Sequence, residues 1–158
     1  LDLARVCRDP EGGLMVDVRS PEQRRAIMQS VGTAHTGPEM TVRRILHGLG
    51  YRYRLHRKDL PGRPDVVFTK KRKVIFVHGC FWHGHGCSKG RLPKSRLDYW
   101  EPKIARNHQR DQDVENALRS LGWQVLTIWQ CELKDLQGVE ARLSAFLGPR
   151  EKTDRHRR

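Results

Sequence analysis

Cys80, His83, His85 and Cys87 fall within eight residues, and Cys131 follows later in the chain. Thiolates and imidazoles together favour zinc, and a closed structural site takes four ligands. Five candidates compete for four places, which leaves one side chain for other work. The stretch from Gly79 to Leu92 is glycine-rich and shows no hydrophobic period, so a bound metal rather than a core would order it. The opposing reading makes Cys131 a small buried hydrophobe and leaves the histidines in solvent. Spacing alone does not separate His83 from His85.

Carboxylates form the second constellation. Asp65 follows Pro64 and opens a strand in a basic neighbourhood: residues 51–110 hold sixteen Lys/Arg against four Asp/Glu. A carboxylate in such a setting can bind Mg²⁺ beside a phosphodiester, although an aspartate after proline also suits a plain turn. Nucleases commonly place Glu-x-Lys on the next strand, but that slot reads Phe76-Val77-His78. A backbone carbonyl or water must then complete the metal shell, with His78 in the lysine's place. Asp111 shares a helical face with Ile104, Asn107, Val114, Leu118 and Leu121. A buried aspartate is costly unless paired, so Asp111 either meets an arginine or faces a polar site. Glu39 stands three residues after Thr36, and a capping box accounts for it without chemistry. Phe81, Trp82 and Trp100 lie among cations, where aromatic rings stack on bases or wedge between them. Core packing is the alternative for Trp100.

The elements that must position these groups can be read from pattern. Ser20-Pro21-Glu22-Gln23 opens a helix to about Ser30, and Thr36-Gly37-Pro38-Glu39 opens another to about Leu49, closed by Gly50. Strands are expected over Tyr51–Leu55, Asp65–Phe68, Lys73–His78 and Gln124–Trp129. A long helix is expected from about Asp98 to Leu121, and a last one over Glu132–Leu147. This order implies an α/β fold with a mixed sheet flanked by helices. Residues 1–18 read as a flexible arm, 19–147 as one domain and 148–158 as a basic disordered tail.

Composition narrows the partners. The chain has 158 residues, and 31 Lys/Arg less 18 Asp/Glu gives +13, with a pI near 10.3. A polyanion, usually nucleic acid, is the expected partner. Mean hydropathy is −0.73. No apolar run approaches the ~20 residues a membrane span needs, so no membrane partner is expected. No signal peptide is readable, and four cysteines suit metal or free-thiol chemistry in a reducing, cytoplasmic setting.

Leu60-Pro61-Gly62-Arg63-Pro64-Asp65, Gly79-Cys80-Phe81-Trp82-His83 and Trp129-Gln130-Cys131 together resemble the very-short-patch repair (Vsr) endonucleases, bacterial mismatch nickases. The resemblance spans roughly residues 19–147, and Ser20 to Met28 agrees with the family's N-terminal pattern. It implies a restriction-endonuclease-like fold of the PD-(D/E)XK type, bearing a structural zinc held by Cys80, His85, Cys87 and Cys131. It implies Asp65 as the Mg²⁺ ligand, aided by the main-chain carbonyl of Val77, where some members carry a hydroxyl residue. Glu39, His83 and Asp111 would hold the metal's waters, His83 would be the general acid/base, and His78 would lie beside them. Phe81, Trp82 and Trp100 match the family's intercalating aromatics, and Met28 its wedge from the other groove.

The activity so implied is strand-specific nicking of double-stranded DNA 5′ to the thymine of a T:G mismatch, as arises when 5-methylcytosine deaminates. Arg63, Lys89, Arg91, Lys94 and Arg96 are candidates for phosphate or base-edge contacts. A lone lesion lacks two-fold symmetry, so a monomer is expected, near the bacterial nucleoid and functionally linked to a cytosine-5 methyltransferase. Two rival readings are a same-fold nuclease without mismatch preference and a zinc-organised DNA-binding module without activity.

Overall fold

The computed structural model describes Ser20, Glu22, Gln23, residues 35–94 and residues 96–149. Expectations for Met28, for most of the first helix and for the arm lie outside these residues. The capping box that opens the first helix is visible: Ser20 N–H donates to Gln23 Oε1 (2.9 Å) and Gln23 N–H to Ser20 Oγ (3.2 Å).

Helix α1 (Gly37–Gly48) starts at Thr36, whose hydroxyl oxygen accepts from Glu39 N–H. Four strands follow the order β1 (Arg54–Leu55), β2 (Val66–Phe68), β3 (Lys73–His78) and β4 (Gln124–Trp129). The first two pairings are antiparallel and β3–β4 is parallel, with His78 opposite Trp129. Helix α2 (Leu97–Ser120) makes the crossover that a parallel pair requires. Helix α3 (Leu136–Leu147) closes the domain.

Two expected elements differ. The strand foreseen over Tyr51–Leu55 pairs only at Arg54 and Leu55, because β2 ends at Phe68 and turns away where Arg72 N–H bonds Thr69 O (3.2 Å). Tyr51 and Tyr53 still point inward and meet Phe68 edge-on. The last helix is broken into a 3₁₀ turn (Glu132–Lys134) and α3. Asp135 interrupts it by capping: its Oδ1 accepts from Gly138 N–H at 3.0 Å.

Strand alternation sorts the core onto two faces. Val66, Phe68, Ile75 and Ile128 pack against Val42 and Leu46 of α1 and Val139, Leu143 and Leu147 of α3. Val67 and Val74 pack on the other face with Leu60, Leu118 and Trp123. Helices thus cover both faces of the sheet, α1 and α3 on one and α2 on the other. Leu121 leaves the apolar face assigned to it: as the residue capping α2 it is 52% exposed. Gly148 and Pro149, expected in a free tail, remain tied to the body. Their carbonyls accept from Tyr51 Oη (2.6 Å) and Lys71 Nζ (2.9 Å).

The turn before Asp65 is locked onto α2. Gly62 has φ +69°, and a Cβ there would sit 2.4 Å from Val114 Cγ1. Gly62→Ala is expected to cost about 1–3 kcal/mol by denaturant unfolding, from strain and overpacking together. Adding Val114→Ala should recover the steric share but not the backbone share. Full additivity of the two substitutions would contradict the contact.

Candidate active site

A cleft of about 1280 Å³ opens where the carboxyl ends of β3 and β4 meet α1 and α2. Crevices beyond the carboxyl ends of parallel strands are common ligand sites, because neighbouring loops can converge there without breaking the sheet. Glu39, Asp65, Val77, His78, His83 and Asp111 all line this cleft, together with His56. The structure therefore gathers every catalytic candidate of the sequence into one place.

Asp65 reaches the cleft because it immediately precedes β2, which pairs with β3. Its Oδ2 accepts from Val77 N–H at 2.7 Å, which fixes the carboxylate against the strand. Burial pushes its carboxyl up to about 6; the Val77 amide opposes the rise and the Glu39 charge adds to it. Glu39 does more than cap. It is 4% exposed, and its Oε2 accepts from Arg43 Nη2 (3.0 Å) and from His35 N–H (2.9 Å). Its Oε1 accepts from the Thr36 hydroxyl at 3.1 Å.

Asp111 meets His83 at Nδ1 in a short contact, and Arg110 Nη2 lies 3.5 Å from its other oxygen. Both alternatives foreseen for Asp111, an arginine partner and a polar site, are thus realised together. Burial raises the Asp111 carboxyl, but the His83 hydrogen bond and charge outweigh it and leave the group below its ordinary value. His78 stacks on His83 with ring centroids 3.8 Å apart. Burial, reinforced by His83, pushes His78 down to about 4, so it is neutral near pH 7. One donor atom from each of His78, His83 and Asp111 lies within 4.8 Å of the others.

The neighbouring loop forms a second cluster. Donor atoms of Cys80, His85, Cys87 and Cys131 all lie within 4.8 Å of one another. His83, two residues from His85, belongs to the other group. The loop between them is tightly folded: His85 N–H bonds Cys80 O (3.0 Å), and Gly90 N–H bonds Cys87 O (3.0 Å). No side chain fits at Gly90, where a Cβ would lie 1.8 Å from His85 O. The His85 hydrogen bond holds the Cys87 thiol down to about 6, whereas burial and the neighbouring Cys80 and Cys87 push Cys131 up to about 11. Three crowded thiols cannot all ionise without a cation to offset them, so the donor set suits a soft dication such as zinc.

Phe81, Trp82 and Trp100 form one aromatic group, with Phe81 5.0 Å from both tryptophans. They are half-buried. Lys103 lies over all three of Trp82, Tyr99 and Trp100 at 5.2–5.7 Å. Asn107 Nδ2 donates to Trp82 O at 2.9 Å, which ties the aromatic group to α2. Arg63 lines the cleft and is exposed, as are Lys94 and Arg96.

Three residues of the site had no role assigned from the sequence, although Trp129 stood in the Trp129-Gln130-Cys131 motif. Arg43 is the buried partner of Glu39, and its position four residues on was the available signal. His56 enters the cleft from the loop after β1, and no local pattern announces it. Trp129 stacks on His85 (4.3 Å) and meets His78 edge-on (5.4 Å), so it fills the space between the two clusters.

These features define a mixed α/β protein with an acid–histidine cleft beside a Cys/His cluster able to hold a metal. A family model described as DNA mismatch endonuclease Vsr matches residues 16–89. The type II nicking enzyme V.XorIIP of Xanthomonas oryzae pv. oryzae is 62% identical over 85% of this chain and 99% of its own length. V.NmeAIP of Neisseria meningitidis, also a type II nicking enzyme, is 41% identical over 84% of this chain and 95% of its own length. DNA mismatch endonuclease Vsr of Escherichia coli K12 is 40% identical over 76% of this chain and 77% of its own length. The chain belongs to the Vsr family. No helix among the described residues is long and apolar enough to cross a membrane.

The raised carboxyl of Asp65 has a measurable consequence in metal-free protein. A group whose folded value exceeds its unfolded one contributes stability at low pH and loses it as pH rises through the folded value. From 3.8 to about 6, this penalty is on the order of 2–3 kcal/mol at pH 8. Asp65→Asn should therefore raise the melting temperature at pH 8 in EDTA, and the gain should shrink towards zero at pH 4. An equal gain at both pH values would show that burial of the charge is not its source.

Proposed function

We propose that this protein is a Mg²⁺-dependent DNA nickase that acts at T:G mismatches. It would cut 5′ to the mismatched thymine, the product of 5-methylcytosine deamination. The observation that carries the reading is the pairing of a His83–Asp111 dyad with the buried carboxylate of Asp65 in one cleft on a strongly basic protein. Family membership supports it, since one relative is named a mismatch endonuclease and others nicking enzymes. The β2–β3 hairpin that presents Asp65 supports a restriction-endonuclease-like reading of the fold.

Asp65, with the main-chain carbonyl of Val77, offers the hard oxygen donors that Mg²⁺ takes. Such an ion supplies charge stabilisation at phosphorus and lowers the pKa of water. The protein's own groups handle the proton. Asp111 engages Nδ1 of His83 and so leaves Nε2 to accept a proton from water or to give one to the leaving oxygen. His78, neutral and stacked on His83, limits the ring's rotation. Water's oxygen bonds to phosphorus, the P–O3′ bond breaks, the 3′-oxygen gains a proton and a 5′-phosphate remains. Glu39 would orient water at the cleft's edge.

Cys80, His85, Cys87 and Cys131 would hold zinc, whose part is structural. Phe81, Trp82 and Trp100 would wedge into the duplex, with Met28 entering from the other groove. A wobble pair stacks less well than a matched pair, so a wedge costs less there, and the lesion is selected before chemistry begins. Arg63, Lys94 and Arg96 would contact the backbone or base edges. The substrate has no two-fold symmetry, so a monomer suffices, and a cytosine-5 methyltransferase is the activity that creates the need for it.

Nicking of end-labelled T:G and T:A duplexes, with Mg²⁺ or EDTA, tests this directly. The reading expects cleavage only of the T:G duplex, on the thymine strand, only with Mg²⁺. Asp65→Asn should lose nicking by at least ~10³-fold while retaining mismatch binding, as removal of a metal-binding charge requires. Equal cleavage of T:A would favour a nuclease without mismatch preference. Binding without any cleavage would favour a zinc-organised DNA-binding module.

A further inference from the structure

The described part of the cleft contains a charged link that the proposed chemistry does not use. Arg43 is 6% exposed, yet its guanidinium contacts Met40 Sδ (3.6 Å) and three polar groups. Nη2 lies 3.0 Å from Glu39 Oε2 and 2.8 Å from His56 Nε2, and Nη1 lies 2.8 Å from His35 Nδ1. Its Nε is buried without a hydrogen-bond partner. Burying such a group is expensive, and its partners Glu39 and His56 line the cleft, so its placement points to a use behind the cleft wall.

The chemistry of arginine fixes the protons. A guanidinium can only donate, so the 2.8 Å contact requires a lone pair on His56 Nε2. The ring proton of neutral His56 must then sit on Nδ1. That nitrogen is the one that faces Asp65 Oδ1, at 3.9 Å. The other oxygen of the same carboxylate already accepts from Val77 N–H at 2.7 Å. Asp65 thus accepts a strand amide on one side, while His56 Nδ1 stands on the other at 3.9 Å, just beyond direct hydrogen-bond reach. Arg43 sets the direction of that imidazole, and the same guanidinium grips Glu39.

We infer that Arg43 and His56 are positioning residues: Arg43 fixes the His56 tautomer, and His56 Nδ1–H orients the Asp65 carboxylate for its metal. This rests on the reading of Asp65 as a Mg²⁺ ligand. His56 touches neither phosphate nor water in this role, and it acts only through Asp65. Glutamine can reproduce both halves of the link, since its amide oxygen accepts from Arg43 and its amide N–H₂ donates towards Asp65. Leucine reproduces neither.

Two measurements test the inference. Long-range ¹⁵N–¹H spectra of the wild-type imidazoles, recorded without metal, should show His56 protonated at Nδ1. Mg²⁺ titrations of T:G nicking should show the half-saturating concentration raised about tenfold or more in His56→Leu. His56→Gln should return it to within about threefold of wild type, and the melting temperatures of all three proteins should agree in EDTA. His56→Ala serves in the same way if the leucine variant does not fold. An Nε2-protonated His56 overturns the inference. So does a wild-type Mg²⁺ titration in His56→Leu when Asp65→Asn is inactive. Wild-type nicking by Asp65→Asn would instead overturn the metal-ligand reading beneath it.

Discussion

The site depends on how one glycine-rich loop is held. Residues 79–92 contribute few apolar side chains to either core face, yet they supply Trp82 and His83 to the cleft. Cys80, His85, Cys87 and Cys131 converge at its base, and Cys131 joins it to the end of β4. Such a loop has little apolar surface to bury; a metal held by this four-donor cluster would supply the constraint that a core supplies elsewhere. The alternation Cys80-x-x-His83-x-His85-x-Cys87 then divides its histidines. His85 turns towards the cysteines and stacks on Trp129, while His83 turns to Asp111 and stacks on His78.

Electrostatics gives the cleft its character. The protein carries +13, but the cleft gathers Glu39, Asp65 and Asp111 with histidines rather than lysines close to them. Each carboxylate has a different environment. Glu39 is saturated by Arg43, Thr36 and a backbone amide, and Asp111 is held low by His83. At Asp65 no such partner offsets burial, which holds the carboxyl up at about 6. A cation added to this cleft gains most at Asp65, where the charge is least compensated, while the basic exterior draws the polyanion that brings the substrate.

Much of this was legible in the residues. The bounds of β3 and β4 follow from continuous apolar runs between turn signals, and the capping boxes at Ser20 and Thr36 mark real helix starts. Asp111 betrayed itself, with Asn107, as a polar interruption of an otherwise apolar helical face. What escaped was tertiary. The shortening of β1 depends on where its partner turns away, and the break at Asp135 on a side chain that caps instead of continuing the helix. His56 shows no local pattern because its neighbours come from elsewhere in the chain, Glu39 and Arg43 from α1 and Asp65 from the turn before β2. The division of labour between His83 and His85 was silent in spacing alone; it appears when α2 brings Asp111 to one ring and β4 brings Trp129 to the other.

A loop that gives its two histidines different tasks must fail in different ways when each is removed. Zinc content, melting temperature and T:G nicking rate of His83→Ala and His85→Ala, measured in one buffer, test it most directly. His85→Ala should lose zinc and stability together. His83→Ala should keep both and lose roughly 10²–10⁴ in rate, the usual contribution of a positioned proton-transfer group. The reverse pattern, with zinc lost from His83→Ala and only rate lost from His85→Ala, would contradict it.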